Sequence, residues 1–84
     1  MSKWEKLKAR FLVQPRDFTW PELVKLLAGL GYTLDNKGGT SGSRVEFYGK
    51  GLPIISLHKP HPDNTLKRYQ MKQVYAVLKE AGLI

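Results

Sequence analysis

Arg44-Val45-Glu46-Phe47-Tyr48-Gly49-Lys50-Gly51-Leu52-Pro53-Ile54-Ile55-Ser56-Leu57-His58 is the stretch on which the fold turns. Val45 and Phe47 alternate with Arg44, Glu46 and Tyr48; Ile55 and Leu57 alternate with Ser56 and His58. A period of two places each apolar set on one face of a strand. Gly49-Lys50-Gly51 falls between the two sets and reads as a hairpin turn joining strands over residues 44–48 and 52–58. A turn symmetric about Lys50 sets Val45 opposite Ile55 and Arg44 opposite Ser56. Both apolar partners then share the core face, which makes the register self-consistent. His58 is expected diagonal to Arg44 on the outward face, with side-chain bases about 7–8 Å apart.

Upstream of the hairpin, residues 32–35 read as a further short strand, and residues 36–43 as a flexible polar loop. Before that strand, Thr19-Trp20-Pro21-Glu22 forms a capping box, with Pro21 tolerated in the first helical turn. Leu23, Leu26, Leu27 and Leu30 supply the apolar face of that helix, and Gly31 stops it. Downstream, Pro60-His61-Pro62-Asp63-Asn64 is a rigid connector. A last helix is expected over residues 67–81, with Met71, Val74, Leu78 and Ala81 on one face and Gly82 ending it. At the start of the chain, Trp4, Leu7 and Phe11 define a helical stripe within residues 3–13, stopped by Pro15. That segment reads either as a docked accessory helix or as a loosely held arm. The predicted class is α+β: an α-β-β-β-α order, a three-stranded antiparallel meander, two helices on one face and an extra N-terminal helix. Residues 1–16 are taken as the basic helix or arm and 17–84 as the α-β-β-β-α domain.

Eighty-four residues make one compact domain. With 42% hydrophobic and 11% aromatic residues, a packed core rather than disorder is expected. The absence of cysteine excludes disulfides, thiolate zinc sites and a cysteine nucleophile. No apolar run reaches the ~20 residues of a membrane span, and the charged start is followed by no apolar signal region. A cytoplasmic protein without a membrane partner is expected. Fourteen Lys and Arg against seven Asp and Glu give a net charge of +7, which favours a polyanionic partner. Residues 37–72 concentrate it: Lys37, Arg44, Lys50, Lys59, Lys67, Arg68 and Lys72 stand against Glu46 and Asp63 alone.

Two stretches resemble a known family. Gly39-Thr40-Ser41-Gly42-Ser43-Arg44-Val45-Glu46-Phe47 is similar to the Gly-Ser-His strand entry of the HicA toxins of bacterial toxin–antitoxin pairs. Leu57-His58-Lys59-Pro60-His61-Pro62, continuing through Leu66-Lys67-Arg68-Tyr69-Gln70 to Ala81-Gly82-Leu83-Ile84, resembles their His-Pro connector and closing helix. The resemblance runs over about residues 17–84 and rests on the order and spacing of short motifs. It implies a fold like that of double-stranded-RNA-binding domains, a ribosome-independent ribonuclease acting on mRNA, and neutralisation by a HicB antitoxin. It also implies a catalytic histidine after the Gly-Ser pair, where this chain carries Arg44.

RNA cleavage without a metal needs a base near the 2′-hydroxyl, an acid near the leaving oxygen and cations around the phosphate. Imidazole suits the first two tasks, and His58 and His61 are the only histidines. His58 is the preferred acid–base residue and His61 the second candidate. Lys37, Ser43, Arg44, Lys59, Lys67 and Arg68 are the candidate RNA-binding residues. For His58 the plainer alternative is a surface residue ending a strand; for His61 it is a turn residue between prolines. No metal or cofactor is expected, since scattered carboxylates and two histidines make no ligand set. Two other functions remain open: an RNA-binding module of the same fold without catalysis, and a domain that docks an acidic antitoxin.

Overall fold

The computed structural model describes residues 2–35, 44–60 and 63–84. The elements are α1 (Lys3–Leu12), α2 (Trp20–Gly29), β1 (Thr33–Asp35), β2 (Arg44–Tyr48), β3 (Ile55–His58) and α3 (Arg68–Glu80). The three strands form one antiparallel sheet in the order β1-β2-β3. This is the α+β layout expected from the sequence, N-terminal helix included.

Local chemistry starts the first two helices. Ser2 Oγ accepts from the Glu5 N–H at 3.1 Å while Glu5 Oε1 accepts from the Ser2 N–H at 3.0 Å, a reciprocal cap. Thr19 and Glu22 repeat the device at α2: the Thr19 N–H donates to Glu22 Oε1 at 2.9 Å. Leu23, Leu26 and Leu27 of α2 and Met71, Val74 and Leu78 of α3 are buried together with Val45, Phe47, Ile55 and Leu57 of the sheet. One face of the sheet is thereby covered by helices, and the outward residues Arg44, Tyr48 and His58 remain exposed.

The first helix is docked. Phe11 is fully buried, its ring 5.5 Å from that of Phe18 and 6.4 Å from that of Tyr75. The Trp4 indole lies on Gly29, where a Cβ would come within 1.9 Å of Nε1, and it donates to the Leu26 carbonyl at 3.2 Å. Only glycine lets the two helices approach this closely.

The hairpin register differs from the symmetric turn. Arg44 faces His58, Val45 faces Leu57, Glu46 faces Ser56 and Phe47 faces Ile55. Each β2 residue therefore meets a partner two positions further along than expected, and β3 begins at Ile55 instead of Leu52. The turn is longer because Pro53 has no N–H to give a ladder and Gly51 takes a left-handed φ of 74°. The Leu52 N–H closes it onto the Gly49 carbonyl at 3.0 Å. A slip of two preserves the faces, so the core residues stay as predicted while the outward pairing changes.

Beyond β3, residues 63–66 are pinned to the lead-in of α2. Thr65 bridges Thr19, the Trp20 N–H donates to the Asn64 carbonyl at 2.7 Å, and the Leu66 N–H donates to the Phe18 carbonyl at 2.9 Å. The connector is thus held where it delivers the chain into α3.

Candidate nucleic-acid interface

The outward face of the sheet carries Thr33 and Asp35 from β1, Glu46, Tyr48 and Arg44 from β2, and Ser56 and His58 from β3. Arg44 and His58 are directly opposed and both exposed. Directly opposed side chains start about 4.5–5.5 Å apart at Cβ, closer than the diagonal placement expected from the sequence. Arg44 Nε donates to Ser56 Oγ at 3.1 Å, which holds the guanidinium across to β3.

Charge on this face is divided along the strands: Asp35 and Glu46 are cross-strand partners, while Arg44 stands two residues away at the start of β2, opposite His58. The Tyr48 hydroxyl donates to Glu46 Oε1 at 2.5 Å, and this bond raises the phenol above its ordinary value because the neutral form is the donor. A polyanion is therefore favoured at the Arg44 end of the face, away from the Asp35–Glu46 pair.

His58 is positioned through its backbone. Gln70 of α3, only 2% exposed, donates from Nε2 to the His58 carbonyl at 2.7 Å and accepts from the Lys67 N–H at 3.0 Å. Gln73 donates to the Ser56 carbonyl at 3.2 Å. Two glutamines thus tie the start of α3 to the end of β3. Gln70 was not among the sequence candidates. The available signal was a polar residue four before Val74 on the apolar stripe of α3.

The other candidates are spread around this end of the fold. Lys59 follows β3 and is exposed; Lys67 caps α3 and Arg68 opens it, both exposed. Lys37, Ser43 and His61 lie outside the described residues. The fold therefore brings Arg44 and His58 together, and sets Lys67 and Arg68 on a separate element linked to His58 through Gln70. Among the described residues no group of three His, Cys, Asp or Glu stands close enough to hold a metal ion. Nor is any helix among them long and apolar enough to cross a membrane.

A model of the HicA toxins of bacterial toxin–antitoxin systems matches residues 20–83. The chain belongs to the HicA toxin family. The match spans α2 to α3, so the opposed Arg44 and His58, the connector and Gln70 all fall inside the HicA region, and α1 precedes it. HicA membership makes this chain the toxin of a toxin–antitoxin pair and implies a cognate antitoxin. No curated protein and no solved structure matches the chain.

Proposed function

We propose that this HicA chain is an RNA-binding toxin that cleaves mRNA by metal-independent acid–base chemistry, with His58 as the acid–base residue and Arg44 as the phosphate ligand. The observation that carries the reading is the direct opposition of Arg44 and His58 on the exposed sheet face. The His58 imidazole takes the proton of a ribose 2′-hydroxyl, whose oxygen attacks the adjacent phosphorus. The bond to the 5′-oxygen breaks, leaving a 2′,3′-cyclic phosphate on one fragment and, after protonation, a 5′-hydroxyl on the other. Arg44, charged at every physiological pH, holds the non-bridging oxygens as charge accumulates on them. His61 remains the second candidate for the proton that the leaving oxygen needs. The basic residues Lys59, Lys67 and Arg68 extend the phosphate track, and a HicB-type antitoxin is the proposed partner that silences the site.

The experiment is induced expression in a bacterial host, following growth and transcript integrity for wild type beside His58→Ala and His61→Ala. Growth arrest with mRNA decay, lost in His58→Ala, is the expected result. Arrest and decay that survive His58→Ala would remove His58 from the chemistry. A second reading is favoured by one residue: Arg44 occupies the place where the HicA resemblance implies histidine. Under it the chain binds RNA without cutting it, and intact transcripts with folded, RNA-binding wild-type protein are its signature.

A further inference from the structure

A cleft of about 610 Å³ opens between the α1–α2 turn and the first half of α3, away from the outward face of the sheet. Its apolar wall is formed by the half-buried Pro15 and Tyr75, with only the edges of the core residues Leu66 and Met71 behind them. Arg16, Arg68 and Lys72, all exposed, stand around it. None of the three has an acidic partner among the described residues, where both ion pairs belong to Arg10. Three like charges converging on one cavity repel one another and are relieved by a bound anion. A simple inorganic anion would leave most of this volume and all of the apolar wall unused. The lining calls for a ligand with a flat apolar part and a phosphate.

The walls are built rather than loose. Tyr75 is held against Phe11, and Leu66 is fixed by the bond of its N–H to the Phe18 carbonyl. The cleft is also linked to the proposed cleavage site. Lys67 caps α3 and Arg68 opens it, and Gln70 in the same turn bonds the His58 carbonyl at 2.7 Å.

We propose that this cleft binds one unpaired nucleotide of the RNA strand, its base against the wall of Pro15 and Tyr75 and its phosphates gripped by Arg16, Arg68 and Lys72. The inference rests on the reading of the chain as an RNA-binding protein. It adds a preference for single strands, because a base locked in a duplex cannot enter a cleft.

The test uses the whole protein and a fluorescein-labelled single-stranded 12-mer RNA, with anisotropy followed across a salt series. Wild type is compared with Arg16→Ala/Lys72→Ala and with Lys6→Ala/Lys25→Ala, an equal loss of exposed charge outside the cleft. Removing two phosphate contacts to a single strand lowers the salt slope by about 1.4 and weakens binding about 20-fold at 0.1 M salt. The control pair should change the slope by far less. Backbone amide shifts induced by adenosine monophosphate should centre on Arg16, Leu66, Lys72 and Tyr75. RNA binding by the wild type that is equally strong and equally salt-dependent in Arg16→Ala/Lys72→Ala overturns the cleft and leaves the RNA-binding reading standing. Amide shifts from the mononucleotide without any effect of the cleft variant on RNA overturn the assignment to an RNA strand. No RNA binding by the wild type at any salt overturns both readings.

Discussion

Arg10 carries both ion pairs of the described residues: Nε lies 2.9 Å from Glu22 Oε2 and Nη2 lies 3.0 Å from Asp17 Oδ1. The bond from Arg10 is the main cause that holds the Glu22 carboxyl below the usual glutamate range; the amide and hydroxyl of Thr19 act in the same direction. A carboxyl whose folded value is depressed adds stability above its unfolded value of about 4.3, and that stability is lost as pH falls through the folded value. The melting temperature is therefore expected to fall on acidification below about pH 4.3, and Arg10→Ala to flatten that acid limb, read from thermal melts between pH 3 and 7. The capping box that places Glu22 was legible from Thr19-Trp20-Pro21-Glu22, whereas its partner Arg10 was not. Spacing along a helix says nothing about which side chain of another helix will reach it. The same limit hid Gln70, whose two bonds depend on where β3 ends relative to α3.

At the scale of elements, the alternating pattern named the strands and the core face, and the turn decided the register. Val45, Phe47, Ile55 and Leu57 are buried as their alternation requires. The pairing of Arg44 with His58 was missed because proline and a left-handed glycine lengthened the turn, which no periodicity encodes. Gln70→Leu keeps the size of the side chain but leaves the Lys67 N–H and the His58 carbonyl without their partner. A loss of about 2 kcal/mol in urea unfolding is expected. The α1–α2 turn offers the opposite change. Gln14 has a φ of 52°, a left-handed conformation that an L residue adopts at a cost of about 1 kcal/mol. Gln14→Gly should recover part of it despite losing the Nε2 bond to the Phe11 carbonyl, raising the urea midpoint.

Across the whole molecule, α1 belongs to the core that the family region builds. Phe11 meets Phe18 before α2 and Tyr75 on α3, so one side chain joins three parts of the chain. Phe11→Ala is expected to cost about 3–5 kcal/mol, a large share of what a domain this small possesses. A calorimetric midpoint lowered by at least about 12 °C is the outcome to look for, with the transition losing cooperativity as α1 detaches. The layered α+β architecture was legible from the order of periods in the sequence. The distribution of charge was legible only in part. Residues 37–72 are basic as a run, yet folding sends Lys67, Arg68 and Lys72 to α3 and leaves Arg44 sharing the sheet face with Asp35 and Glu46.

The glutamine bonds to β3 also decide how this sheet can grow. Any open strand can serve as a template for another chain. Gln70 and Gln73 already occupy the His58 and Ser56 carbonyls, so a newcomer at β3 would first have to displace side chains of its host. Among the described strands, extension is left to β1. A sheet with a single growing edge can close into a back-to-back pair but cannot propagate a fibre.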